Sequence, residues 1–166
     1  GGFDIVVGNP PYVQLDKFPE VEKTLIHDSF KSLQYYYPNL NWNNVSVRRD
    51  IYIDFYFLGF RLLKNNGIIG FLTSDSWLDA NYGGILQEFL LKYTDCTILT
   101  DAEKRSFNTA SINTNIVIAQ LSNKDRNIRF VKYMDLGGII EFSPKDDIVR
   151  FVIVNSNNIN NERLVA

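Results

Sequence analysis

Short apolar runs and longer amphipathic stretches alternate along the first two thirds of the chain. Residues 3–7 and 67–72 are continuous apolar runs bounded by glycine or polar residues, which is typical of strands buried on both faces of a parallel sheet. Residues 51–64 lie between them and are apolar around most of a helical circumference, which predicts a deeply buried crossover helix. Strand, helix and strand in this order predict a right-handed βαβ unit.

The rest of the pattern predicts two more helices and three more strands. The long connection 13–49 contains a predicted helix that opens near Pro19, and connections of this length are usually functional or mobile. Asp50 is suited to cap the crossover helix, and residues 85–93, which follow Gly83 and Gly84, have apolar positions at helical spacing. The further strands are predicted at residues 96–99, 115–121 and 128–133. Because no helix separates them, we expect them to pair antiparallel at one edge of the sheet.

Composition fits one domain and narrows the classes of function. The chain has 166 residues, 45% of them hydrophobic, and a formal net charge of −2. It has no overall basic field, so a nucleic-acid partner would be met by a local patch. With one cysteine and one histidine, no disulfide framework or metal site is expected; Cys96 is predicted to be buried and His27 to lie on a helix. No apolar run reaches the ~18 residues of a membrane span, which favours a cytoplasmic location.

Asn9-Pro10-Pro11-Tyr12 carries the most specific chemistry in the chain. It follows the first predicted strand, and ligands of open α/β sheets collect at the carboxyl ends of strands. Proline forces the preceding residue into an extended conformation and supplies no N–H, so this turn is stiff and presents oxygen acceptors. The Asn9 side-chain oxygen, the Pro10 carbonyl and the face of Tyr12 would suit a planar group that bears an NH₂, such as adenine.

The exocyclic amine of adenine is a poor nucleophile because its lone pair is delocalised into the ring. Acceptors on both hydrogens would draw the nitrogen toward a tetrahedral geometry and free that pair for attack on an electrophilic methyl group. The base would first have to leave its duplex. A plain strand-ending turn is the competing interpretation, but the buried strand before the motif and the helix–strand pattern after it favour the functional one.

Three segments of the chain carry a resemblance to a known family. They read, in order, FDIVVGNPPYV, DIYIDFYFLGFRLLKNNGIIGFLTSDSWL and SFNTASINTNIVI. This order resembles the amino-type DNA methyltransferases that make N6-methyladenine, in their Eco57I-like branch of type II restriction–modification enzymes, over roughly residues 3–133. The resemblance implies an α/β fold: the C-terminal half of a Rossmann-like class I methyltransferase sheet, with parallel strands and an antiparallel edge. It also implies S-adenosylmethionine as cofactor and double-stranded DNA as partner, in a bacterial cytoplasm.

The resemblance assigns the catalytic role to the tetrapeptide. Asn9 and the carbonyl of Pro10 would accept hydrogen bonds from the adenine N6 amine, with Pro11 completing the rigid turn. Asn9 would also border the cofactor. Tyr12 would stack on the extruded base.

The same resemblance implies further contacts, each with an ordinary structural alternative. Phe107 would supply a second stacking ring, or would be a loop anchor. Phe55 would contact the adenine ring of the cofactor, or would be helix core. Contacts to DNA phosphates, or else plain surface charge, are expected of four basic residues: Arg48, Arg49, Lys104 and Arg105.

The glycine-rich loop that holds the methionine end of the cofactor in this family is not found in the chain. We therefore expect residues 1–133 to be a partial catalytic domain and residues 134–166 to begin a linker or a DNA-recognition region. Alone, the chain is expected to bind cofactor poorly and not to methylate, and the whole protein to carry a specificity domain and a fused nuclease. Two other interpretations stay open: a noncatalytic DNA-binding module, and an enzyme that methylates amines of RNA or protein.

Overall fold

A five-stranded sheet with helices packed against it forms the part of the chain that the structure describes. The structure is a computed structural model, and it describes residues 1–101, 113–122 and 127–133. The strands are β1 (Phe3–Gly8), β2 (Leu63–Ser74), β3 (Thr94–Asp101), β4 (Thr114–Leu121) and β5 (Ile128–Tyr133). The α-helices are α1 (Glu20–Lys31), α2 (Tyr52–Leu62) and α3 (Gly84–Tyr93). All eight elements were predicted from the hydrophobic pattern, with ends that differ by a few residues.

The strand order is β1-β2-β4-β3-β5. β1 pairs parallel with β2, and β3 pairs parallel with β5, whereas β4 runs antiparallel to both β2 and β3. This confirms the predicted α/β class, but the antiparallel strand lies inside the described sheet and not at its edge. The crossover through α3 places β3 two positions from β2, and β4 fills the gap.

Aromatic side chains join the helices into one core on a face of the sheet. Phe89 of α3 lies 4.8 Å, between ring centroids, from both Phe57 and Phe60 of α2. Phe30 of α1 lies 5.1 Å from Phe57. At Gly59 the helix approaches the sheet so closely that a Cβ there would lie 2.6 Å from Cδ1 of Ile69. This close approach fixes α2 beside the end of β1, where the candidate site lies.

Two predictions about burial are wrong. Strand β1 was expected to be buried on both faces, yet Phe3, Ile5 and Val7 are 59%, 62% and 75% exposed. Within the described residues β1 pairs only with β2, so it is an edge strand. Helix α2 has an open face as well, because Phe55 and Leu58 are exposed while the opposite face is in the core.

The predicted ends of α2 also need correction. Ile51, and not Asp50, occupies the N-cap position, and it makes no side-chain capping bond. The Asp50 carboxylate instead accepts a hydrogen bond from Tyr82. The helix ends at Leu62, before the predicted end at residue 64, and the chain passes directly into β2. None of the described helices is long and apolar enough to cross a bilayer.

Candidate functional site

The loop of residues 9–12 leaves the carboxyl end of β1. Its two prolines end the strand because neither can donate a backbone hydrogen bond to a sheet. Pro10 is buried and anchors the turn, whereas Asn9 and Pro11 are exposed. The structure therefore presents the Asn9 amide to solvent at the strand end, as the sequence predicted.

Asn9 and Tyr12 are in direct contact. The Tyr12 hydroxyl donates a hydrogen bond to Oδ1 of Asn9 at 2.8 Å and lies 3.3 Å from the carbonyl oxygen of Leu72 at the end of β2. Burial raises the pKa of Tyr12 above its usual value, so the hydroxyl keeps its proton at neutral pH. An amide oxygen has two lone pairs, and Asn9 therefore keeps acceptor capacity for a second donor.

The exit of this loop is fixed by backbone hydrogen bonds to the residues that precede α2. The N–H of Ile51 donates to the carbonyl of Val13, and the N–H of Leu15 donates to the carbonyl of Arg49, both at 2.9 Å. Gln14 forms a bridge with Asp50 between them. The loop after β1 and the start of α2 thus form one local unit.

Arg49 anchors this unit and is not available to DNA, which corrects the prediction that it contacts phosphates. Its side chain is 0% exposed and makes a bidentate pair with Asp54, with Nε–Oδ2 and Nη2–Oδ1 distances of 2.8 and 2.6 Å. Nη1 also donates to the carbonyl of Ser46, and the guanidinium lies 4.3 Å from the ring centroid of Phe30. A buried cation must be paired, and Arg49 is paired with groups of its own chain, so its role is structural.

His27 completes the Arg49 cluster. Nη1 of Arg49 lies 3.2 Å from Nδ1 of His27. Because an arginine side chain can only donate hydrogen bonds, Nδ1 is the unprotonated, accepting nitrogen of a neutral imidazole. Burial, followed by the charges of Arg49 and Lys31, lowers the pKa of His27, although Asp28 and Asp54 oppose this. The histidine lies half-buried on α1, as predicted.

A pocket of about 380 Å³ lies between the loop and the open face of α2. Asn9 and both prolines line one side, and Phe55, which is 38% exposed, lines the other. Leu58 and Phe71 supply further apolar wall, and no lining residue is charged. The ring of Phe55 therefore lies beside the motif, outside the core.

The remaining predicted site residues differ in what the structure can say of them. Arg48 is exposed and lines a second, more polar cleft with Ser46, Asn81 and Tyr82. Lys104, Arg105 and Phe107 lie outside the described residues. Their predicted contacts with DNA and with the base stay predictions.

Sequence reasoning missed two tyrosines near the motif. Tyr52 is fully buried, and its ring lies 6.0 Å from the ring of Tyr12 at an angle of 86°. Its hydroxyl lies 3.2 Å from that of Tyr82. In the sequence, Tyr52 looks like one apolar residue of a helix and Tyr82 like one of a loop. The available signal was that a tyrosine within an apolar run has a hydroxyl, which needs a hydrogen-bond partner when it is buried.

Comparison with known structures identifies the fold. The structure is similar to the methyltransferase subunit of a type I restriction–modification system from Streptococcus thermophilus, with a TM-score of 0.58, 16% identity, and coverage of 93% of this chain and 32% of that one. It is also similar to DrdV in its complex with DNA, with a TM-score of 0.57, 18% identity, and coverage of 78% of this chain and 14% of that one. The fold is that of class I S-adenosylmethionine-dependent methyltransferases.

The model of the Eco57I restriction-modification methylase family matches residues 1–107, and the chain belongs to that family. It is 33% identical over 99 residues to the type II methyltransferase M.XhoI from Xanthomonas vasicola. That alignment covers 60% of this chain but only 16% of the relative's length. The resemblance noted in the sequence is thus confirmed at the level of the family.

Proposed function

We propose that this chain is part of a site-specific DNA methyltransferase that transfers a methyl group from S-adenosylmethionine to N6 of adenine within a restriction–modification system. The observation that supports this most is the exposed Asn9 amide beside the ring of Tyr12 at the end of β1. Membership of a family of restriction–modification methylases supports the same reaction class. The adenine is the finer part of the proposal, because it rests on the chemistry of the motif.

The motif would act on the amine by accepting its hydrogens. Oδ1 of Asn9 has one lone pair occupied by the Tyr12 hydroxyl and one left for the N6 amine. The Pro10 carbonyl would accept the second hydrogen, and the ring of Tyr12 would stack on the base. These contacts polarise and orient the amine, and they need no strong base.

The pocket beside the loop fits the adenine end of the cofactor. Its walls are apolar, Phe55 offers an aromatic ring, and Asn9 supplies the amide. When bound, S-adenosylmethionine would supply an electrophilic methyl group for the N6 amine, with a neutral thioether as the leaving group and one N6 proton passing to water. Phe55 and the loop would hold the donor on the side of the motif where the amine is bound.

Double-stranded DNA is the proposed partner, and the bacterial cytoplasm is the proposed location. The DrdV structure, which has this fold, is a complex with DNA. In this chain, exposed Arg48 lies on the same local unit as the motif, where it would meet a phosphate. A specificity domain and a fused nuclease are proposed for the whole protein, of which residues 134–166 would begin the recognition part.

The test is methyl transfer by the full-length protein that contains this chain. Unmodified DNA is incubated with S-adenosylmethionine labelled in its methyl group, and the methylated base is identified after hydrolysis of the DNA. We expect label in N6-methyladenine, and Asn9→Ala should reduce turnover by about 10²–10³-fold, as does loss of one polar group that acts on the transition state. Asn65→Ala is the matched control. Asn65 is also exposed, but it lies near the start of β2, whereas the loop of Asn9 lies beside the end of β2.

Three results would contradict the proposal. Label in cytosine would exclude adenine as the target. Label in RNA or protein, with none in DNA, would favour one of the other amine substrates. Full activity of Asn9→Ala would place the chemistry elsewhere and favour a noncatalytic module.

A further inference from the structure

The ring of Tyr12 is supported from the side by a second tyrosine. Tyr52, the first residue of α2, is fully buried and meets Tyr12 edge to face, with 6.0 Å between ring centroids and 86° between the planes. Such perpendicular contacts are favourable and directional. The Tyr52 ring therefore blocks rotation of Tyr12 toward the core.

A chain of hydrogen bonds fixes Tyr52 in turn. The Tyr82 hydroxyl donates to Oδ2 of Asp50 at 2.8 Å, and it lies 3.2 Å from the Tyr52 hydroxyl. The Tyr82 hydroxyl has one proton, which it donates to Asp50, so toward Tyr52 it can only accept. The order of donation is thus set as Tyr52 to Tyr82 to Asp50, and bonds arranged in this way strengthen one another.

Asp50 is also linked to the exit of the loop through the backbone. It forms the bridge with Gln14, two residues after Tyr12, and its neighbour Ile51 donates to Val13. The loop is therefore connected to Asp50 by two routes, one through main-chain pairing and one through the two tyrosines. Tyr82 precedes α3, so this series of hydrogen bonds also connects α2 to α3 at this edge of the sheet.

Tyr12 needs such support when a substrate amine approaches Asn9. In the structure its hydroxyl is held by Oδ1 of Asn9 at 2.8 Å and, less closely, by the carbonyl of Leu72 at 3.3 Å. An amine that binds to the second lone pair of Asn9 Oδ1 shares this oxygen with the Tyr12 hydroxyl, which weakens the first of these bonds without replacing it. The edge contact with Tyr52 uses neither oxygen, so it is unaffected when the amine binds.

We infer that Asp50, Tyr82 and Tyr52 form a positioning chain that holds the ring of Tyr12 at the angle required for stacking on the target base. This inference rests on the proposed function, and it adds three residues that act on the reaction through Tyr12. None of the three touches the base. Their effect should fall on the geometry of the bound complex, and hence on kcat.

The experiment compares two variants that each remove one hydroxyl of the chain, Tyr52→Phe and Tyr82→Phe, in the full-length protein. The control is Tyr56→Phe, because Tyr56 lies on the same helix and its buried hydroxyl bonds to Thr73, outside the chain. We expect kcat for methylation of unmodified DNA to fall about tenfold in both chain variants, since a displacement of ~1 Å in a reacting geometry can cost ~100-fold. KM for S-adenosylmethionine should change less than about twofold, and Tyr56→Phe should lower Tm comparably while kcat stays near wild type.

Three further variants separate positioning from general stability. The double variant Tyr52→Phe/Tyr82→Phe should lose no more activity than the worse single one, because both changes break one chain, whereas independent residues would multiply their losses. Asp50→Asn keeps a side-chain oxygen acceptor and should retain most of kcat, while Asp50→Ala should not. If the wild type methylates adenine, equal kcat in Tyr52→Phe and Tyr56→Phe, or multiplied losses in the double variant, would overturn the inference alone. If the wild type methylates no adenine, the proposed function is overturned, and this inference with it.

Discussion

Two polar regions on either side of the loop exit have opposite characters. In the cluster around Arg49 the side chain is wholly buried, and Asp54, Ser46 and His27 take up its donors. In the loop after β1, Asn9 is exposed, and among the described residues only the Tyr12 hydroxyl donates to its side-chain oxygen. Both regions are rich in groups that could do chemistry, yet only the second has capacity left for a ligand.

This difference shows how to separate structural from functional polar residues in the molecule. A buried charge with every partner in place contributes to a defined local structure, and removal of one partner leaves the other uncompensated. An exposed amide on a rigid turn contributes little to folding, but it can bind something. We therefore expect changes in the Arg49 cluster to alter stability and changes beside Asn9 to alter binding or turnover.

Removal of the Arg49 charge should have the largest effect. Arg49→Met leaves the Asp54 carboxylate buried and unpaired, which typically costs about 3–5 kcal/mol in the free energy of unfolding. Burial already raises the pKa of Asp54, against the opposing effect of Arg49, and without that effect the pKa should rise further. Urea unfolding of the full-length protein at neutral pH measures the loss.

The neighbouring arginine provides the control for this prediction. Arg48 is exposed, so Arg48→Met should change the free energy of unfolding by less than about 0.5 kcal/mol. If the two variants were equally stable, the buried cluster would not be the anchor described above. Replacement of both partners, in Arg49→Met/Asp54→Leu, should recover part of the stability because no charge is then left unpaired.

On the open side of the comparison, Phe55→Ala should weaken cofactor binding with little loss of stability. Phe55 is 38% exposed and lines the pocket beside Asn9, so its ring is free to contact a planar ligand. Loss of an aromatic contact of about 0.5–1.5 kcal/mol corresponds to a twofold to tenfold rise in Kd. Calorimetric titration of the full-length protein with S-adenosylmethionine measures this.

Phe130→Ala is the matched variant, because Phe130 is a similarly exposed phenylalanine on β5, at the opposite edge of the described sheet. Its Kd should equal that of the wild type. Equal values for Phe55→Ala and the wild type would show that the ring is only an exposed part of the helix and has no role in binding.

The smallest expected effect is a dependence of stability on pH that comes from His27. Its pKa is lowered in the folded protein by burial, then by Arg49 and Lys31, so the unfolded chain takes up the proton first as pH falls. Stability from this group is therefore complete above the unfolded pKa of about 6.5 and declines as pH falls below it, until the folded protein is protonated as well. The midpoint of urea unfolding, measured between about pH 7.5 and 5.5, should fall more in the wild type than in His27→Gln. Parallel curves for the two proteins would mean that His27 does not sense the Arg49 charge.

The main elements of the fold were predictable because each has a strong local pattern. Residues 85–93 have helical periodicity, and α3 occupies Gly84–Tyr93, one residue longer at its start. The short apolar run of residues 128–133 became β5 with the predicted bounds. The placement of Asn9 at a strand end followed from the two prolines. In each case the signal lies within about ten residues, so no tertiary information was needed.

The errors concern properties that only tertiary contacts decide. Arg48 and Arg49 are identical in type and adjacent in sequence, yet one is exposed and the other is enclosed by residues from α1 and α2. The position of β4 between β2 and β3 depends on how the chain crosses the sheet, and local pattern does not specify it. The partnership of Tyr52 with Tyr82 joins positions 30 residues apart, so periodicity could not reveal it.

The reactivity of Cys96 can be used to measure opening of the sheet around β3. The thiol is buried in β3, and burial raises its pKa to about 12, so the thiolate that reacts with alkylating reagents is almost absent at neutral pH. Modification of this side chain therefore requires the strand to separate from its neighbours first. The rate at which an alkylating reagent consumes this thiol thus measures how often β3 separates from β4 and β5, which no property of the exposed loop after β1 would reveal.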